Sequence, residues 1–165
     1  MATKEKGGAS KELEAGQKLM SEGEFKKALN KFNKILKEDS KNALAWFLKA
    51  ECYIGVPKMA DDDVLEAYNK AIELDKNPYF LVSRGAFCLE SGKWTVAEES
   101  YNLAAEVDKE NEARYLSEFG VEYYNAMVKK YGDNAAYIKE AKKKAATYLL
   151  RSIGIDAKEF NTLFK

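Results

Sequence analysis

Asp61, Asp62 and Asp63 form the longest acidic run in the sequence, with Glu66 three residues further on. Several carboxylates on a short stretch suit a hard divalent cation, which takes oxygen ligands in number. The same residues suit a helix start. Asp63 and Glu66 have the spacing of a capping box, and Asp61 and Asp62 belong beside the positive end of a helix. The second reading needs no ion and is preferred. Cys52 and Cys88 fall within expected helices and read as reduced, buried thiols. There is no histidine, so the commonest general base and metal ligand is missing and no Ser/His or Cys/His pair exists. The stretch Glu90-Ser91-Gly92-Lys93-Trp94 lacks the spacing of a phosphate-binding loop, and Gly92 is better read as a helix terminator. No catalytic, cofactor or metal site is expected, and the chain is not read as an enzyme.

Lysines concentrate at Lys26, Lys27, Lys31, Lys34, Lys37 and Lys41, and again at Lys139, Lys142, Lys143 and Lys144. A nucleic-acid surface is one reading, but Lys plus Arg and Asp plus Glu both number 27, so bulk charge supplies no attraction for nucleic acid or membrane. A solvated, helix-favouring outer face explains these lysines at lower cost. No apolar run reaches the roughly 18 residues of a membrane span, and the N-terminus lacks the apolar core of a secretory signal. The expected location is cytoplasmic.

The elements that carry these residues read as helical almost throughout. Asn77-Pro78 is an N-cap followed by proline in the first turn, Asn42 can cap the helix that carries Trp46, and Thr95 with Glu98 has capping-box spacing. Gly23 and Gly92 suit left-handed helix ends. Residues 1–9 read as a flexible tail. The helices repeat. Gly16, Ala50, Gly85 and Gly120 are equivalent, at steps of 34, 35 and 35 residues. Ala28, Val64 and Ala97 follow, then the aromatics Phe32, Tyr68 and Tyr101, then Ile35, Ala71 and Ala104. Each unit closes on a polar turn: "KEDSKN", "ELDKNP", "EVDKEN".

This pattern resembles the tetratricopeptide repeat family. Its first-helix signature is met by Trp46, Ala50 and Tyr53, and by Leu116, Phe119, Gly120 and Tyr123; its second-helix signature is the small–aromatic–small series above. Lys49 and Arg84 depart from it, standing where the family has an apolar residue. The resemblance implies an all-α fold, a right-handed superhelical array of antiparallel helix hairpins (a TPR-like α-solenoid). Residues 10–165 form a single domain with repeats at about 9–42, 43–77 and 78–111, an extended fourth pair at 113–153, and a short C-terminal helix at 156–164. A hairpin of this kind cannot bury its apolar face alone, so neighbours stack and share a core. Trp46, Tyr53, Tyr68, Tyr101 and Phe32 are expected in that core.

In the resembling family, four slots of each first helix face a concave groove. They correspond here to Ser10, Leu13, Gln17 and Met20; to Leu44, Phe47, Glu51 and Ile54; to Tyr79, Val82, Ala86 and Leu89; and to Arg114, Ser117, Val121 and Tyr124. Clustered apolar groups in these slots imply a protein or peptide partner, and an apolar or amphipathic segment suits them. The alternative is a structural role, the groove being filled by the chain's own C-terminus, through Phe160, Leu163 and Phe164, or by a second copy in a homodimer. Some family members clamp acidic chaperone tails with Lys, Asn and Arg. The corresponding positions are Leu13, Gln17, Leu48, Tyr79 and Ser83, which keep one amide and no cation. No affinity for such tails is expected.

Overall fold

Among the described residues, polar caps and glycine stops mark out eight α-helices. In a computed structural model these are α1 (Ala2–Ser21), α2 (Phe25–Glu38), α3 (Ala43–Glu51), α4 (Asp61–Leu74), α5 (Pro78–Glu90), α6 (Trp94–Val107), α7 (Glu112–Tyr131) and α8 (Ala135–Ser152), with single 3-10 turns at Cys52–Gly55 and Lys109–Asn111. The structure describes residues 2–156, with side chains from Ser10 onward, and residues 158, 159 and 162. Among the described residues there is no strand. The backbone of residues 2–9, expected as a tail, is helical and opens α1; no proline interrupts it, and Gly7 and Gly8 cost a helix only about 1 kcal/mol each.

Four of the described α-helices follow an asparagine, and in three of them its side chain caps the first turn; Asn111, before α7, makes no such bond. The Asn42 side chain accepts from Ala45 N–H at 2.9 Å, Asn77 from Tyr79 N–H at 2.9 Å, and Asn134 from Ala136 and Tyr137 N–H at 3.1 and 3.2 Å. Two expected capping boxes do not form. Helix α4 starts two residues earlier than Asp63, with Ala60 in the cap position, and α6 starts at Trp94, ahead of Thr95. Asp61, Asp62 and Asp63 therefore lie in the first turn, where the helix dipole favours them without a cap hydrogen bond. Glu98 is drawn away from any box by two partners on α8.

Helices α1, α5 and α8 end in the same way. Gly23, Gly92 and Gly154 are left-handed at φ 78°, 76° and 78°. The next N–H in each case reaches back five residues: Glu24 to Leu19 O at 2.8 Å, Lys93 to Cys88 O at 2.8 Å, and Ile155 to Leu150 O at 3.0 Å. This is a Schellman stop. Past the third of them, Glu159 N–H donates to Asp156 Oδ1 at 2.8 Å and Asp156 N–H donates to Glu159 Oε2 at 2.9 Å, a reciprocal capping box. The rest of the helix expected at 156–164, with Phe160, Leu163 and Phe164, lies outside the described residues.

The helices form two compact units, Met1–Lys76 and Asn77–Lys165. In the first, α1 packs on α2, α2 on α3, and α3 on α4; in the second, α5 packs on α6 and α7, α6 on α7, and α7 on α8. Consecutive packing of helix pairs is compatible with an α-solenoid. Inside each unit a small residue on the first helix meets an aromatic on the second. A β-carbon on Gly16 would run into the Phe32 ring, and one on Gly85 would lie 2.7 Å from the Tyr101 ring. Phe32, Tyr68 and Tyr101 are buried. Trp46 and Tyr53, expected with them, are only half-buried. The Trp46 indole N–H donates to Ser40 O at 2.9 Å, which holds one edge of the ring near solvent, and Lys49 lies 4.7 Å over its face. Tyr53 falls in the 3-10 turn that ends α3, where the tighter winding rotates it off the helix's buried face.

The close approach at Gly85 sets up a competition of magnitudes. Alanine gains about 1 kcal/mol over glycine in a helix interior, whereas forcing a methyl into a packed core costs about 1–3 kcal/mol. The Tyr101 ring is almost wholly buried and cannot swing aside. Gly85→Ala is therefore expected to destabilise the second unit by about 1 kcal/mol in urea unfolding. A more stable variant would show that the Tyr101 ring yields.

Candidate functional site: an α5–α7 cleft and the exposed first helices

Most groove candidates keep some exposure. In the first unit Leu44, Ile54 and Gln17 are exposed, while Leu13, Met20 and Glu51 are half-buried. In the second unit Tyr79, Ala86 and Val121 are exposed, and Val82 and Tyr124 are half-buried. Ile54 at 63 % and Tyr79 at 64 % are among the most exposed large apolar side chains described. Two candidates are corrected. Phe47 is 4 % exposed and packs on Tyr68, ring centroids 6.1 Å apart. Leu89 is also buried. Family slots give the direction of a side chain but not how deeply its neighbours cover it. Glu51 has a structural duty as well, since Tyr68 Oη donates to its carboxylate at 2.5 Å.

In the second unit, Ala86 and Leu89 of α5 share a cleft of about 500 Å³ with Glu90, with Trp94 and Tyr101 of α6, and with Glu122, Asn125, Ala126, Lys129 and Lys130 of α7. The α7 residues were not anticipated. Their signal was present as the stripe Glu122, Ala126, Lys129, at helical i, i+4, i+7 spacing and one position out of step with the family slots. Trp94 meets Tyr123 edge-on at 6.0 Å and carries Lys130 5.2 Å over its face. Tyr101 Oη donates to Glu118 at 3.2 Å. Burial first, then the carboxylates of Glu118 and Glu122, hold the Tyr101 phenol well above its ordinary range.

A second polar assembly joins α6 to α8. Glu98 accepts from Lys144 Nζ at 2.7 Å and from Tyr148 Oη at 2.9 Å; Tyr148 Oη accepts from Asn102 at 2.8 Å; Asn102 accepts from Arg151 at 3.3 Å. Burial works against the Lys144 charge, but the hydrogen bond to Glu98 and the charge of that carboxylate outweigh it and raise the pKa. Arg84, in a slot where an apolar residue is usual, donates through Nε to the buried Ser100 hydroxyl at 2.9 Å, and Ser100 donates to Val96 O at 2.6 Å. Desolvation lowers the pKa of this arginine.

The other chemically competent residues are dispersed. Asp61, Asp62 and Asp63 are exposed, and among the described residues no three His, Cys, Asp or Glu side chains converge on a metal position. Cys52 and Cys88 are free and buried; desolvation, with Glu51 adding to it, pushes the Cys52 thiol up to about 12, leaving almost no thiolate at neutral pH. Lys26, Lys27, Lys34, Lys37, Lys41, Lys139, Lys142 and Lys143 are exposed, while Lys31 pairs with Glu12 at 2.8 Å and holds that carboxyl below its ordinary range. Of the clamp positions, Leu48 is buried. No helix of the described residues is long and apolar enough to cross a membrane.

No family model matches the chain. The chain is 30 % identical over 91 residues to DnaJ homolog subfamily C member 3 of Gallus gallus. That stretch is 55 % of this chain, and the chain spans 18 % of the length of that curated relative. The likeness and the consecutively packed helix pairs are compatible with a helical-repeat fold of tetratricopeptide type.

Proposed function

We propose that the chain is a non-enzymatic protein-interaction scaffold that holds an apolar or amphipathic peptide on the exposed face of its first helices, the concave face in the resembling family. The observation that carries this reading is the exposure of Leu44, Ile54, Tyr79 and Val121 in the anticipated slots. Within each unit, exposed apolar side chains in these slots are the kind of surface that contacts a partner. The likeness to a stretch of DnaJ homolog subfamily C member 3 supports a protein as that partner. The test is capture of binding proteins by the immobilised chain, compared with Leu44→Glu/Ile54→Glu and Tyr79→Glu/Val121→Glu variants. These four side chains are at the surface, so helicity by circular dichroism should be unchanged while capture falls at least about tenfold. Folded variants with undiminished capture would place binding elsewhere.

A second reading is self-association. Leu149, in the last turn of α8, and Ile153, just past the end of that helix, are both exposed. Sedimentation across a concentration series separates the two: a dimer that Ile153→Lys dissolves would favour the structural role.

A further inference from the structure

We infer that the α5–α7 cleft takes a peptide whose large apolar side chain is flanked by a basic residue on one side and an acidic residue on the other. This rests on the peptide-binding reading and adds the chemistry of the ligand. The floor of the cleft is apolar, made by Leu89, Trp94 and Ala126, and its volume of about 500 Å³ suits one or two side chains. It is too small for a whole helix, which measures about 10–12 Å across. The rim is polarised along α7, and Glu90 of α5 adds a further exposed carboxylate to the lining. Glu122 stands at one end, exposed, with Glu118 one turn before it beside the Tyr101 hydroxyl. Lys129, also exposed, stands at the other end, seven residues and therefore about 10 Å further along the helix. Its neighbour Lys130 lies over the Trp94 ring and against Gly92, so it closes that end of the floor. Side chains of an extended peptide alternate between its two faces at about 3.3 Å per residue, so charged residues two places before and two places after the anchor face the same way as it does, about 13 Å apart, and reach the two ends of the rim. The carboxylates at the Glu122 end repel phosphates, which argues against a nucleic-acid occupant.

The probe is an array of immobilised nonapeptides with a central Leu, every pairing of Lys, Glu and Ser two places before and two places after it, and a central-Ser series as control. The full chain is expected to prefer the Lys-and-Glu pairing over the two like-charged pairings by about fivefold, as two rim contacts of modest strength would give. This preference should fade at 1 M salt, where charges are screened beyond about 3 Å. Glu122→Lys should shift the choice to doubly acidic flanks, and Lys129→Glu to doubly basic ones; both are surface changes. Indifference to the flanks, with central Leu still favoured over central Ser, would overturn the charge assignment and leave the peptide-binding reading standing. No preference for central Leu at all would overturn the cleft as a peptide site together with the charge assignment.

Discussion

Phe119→Ala is expected to cost the second unit about 3–5 kcal/mol, towards the upper end for a buried phenylalanine. Phe119 is fully buried and lies among three tyrosine rings, with centroids 4.5 Å from Tyr148 and 5.5 Å from both Tyr101 and Tyr123. Aromatic pairs add about 0.5–1.5 kcal/mol each beyond area burial. The three partners come from α6, α7 and α8, so the cavity has walls on several helices and cannot close by shifting one. A unit of this size has a stability on the order of 10 kcal/mol, so the loss is a third or more of the whole. Trp94 reports on this unit: urea unfolding followed by its fluorescence in a Trp46→Phe background gives the number. A loss below about 1 kcal/mol would mean that Phe119 is not the centre of the core.

Tyr68→Ala is expected to cost the first unit about 3–5 kcal/mol as well. Its ring is 1 % exposed and packs on Phe47, and its hydroxyl serves the half-buried Glu51. Tyr68→Phe separates the two contributions. It keeps the packing and removes a hydrogen bond to a charged group, worth about 1.5–3 kcal/mol when dry. Glu51 retains access to water, so the lower end is expected. Here Trp46 is the reporter, in a Trp94→Phe background. If Tyr68→Ala costs less than about 1 kcal/mol, the repeat register that pairs Ala50 with Tyr68 is wrong.

The small-to-aromatic pairing was legible because it is local. Gly16 with Phe32 and Gly85 with Tyr101 are sixteen residues apart and recur at a fixed step. Asn42, Asn77, Gly23 and Gly92 were legible for the same reason, each acting within a turn of its own helix. Asp63 and Thr95 had the correct spacing for a cap and did not become caps. The residue that ends up outside the first turn is decided by how the chain enters the helix, which a four-residue pattern does not contain. Phe47 and Leu89 show a second gap. A slot on a helix specifies a direction, but burial depends on the size of whatever stands opposite. The bonds from Glu98 and Asn102 to α8 span 46 to 50 residues and leave no periodic trace. The α7 rim was hidden by its one-position offset from the family slots.

The link between α6 and α8 has a consequence for the order in which the molecule is made. Chains emerge at about 5–20 residues per second and fold from the N-terminal side as units become available. Helix pairs whose contacts lie within some 35 residues close their loops cheaply and early. Glu98 and Asn102 leave the ribosome about two to three seconds before Lys144, Tyr148 and Arg151 at the faster rate and about ten seconds before them at the slower, and through that interval their polar groups have only water to bind. Helix α6 is therefore a nascent element that waits with its side-chain partners on α8 still unsynthesised, and a pause in translation between α7 and α8 would prolong the state in which the second unit lacks these closing bonds.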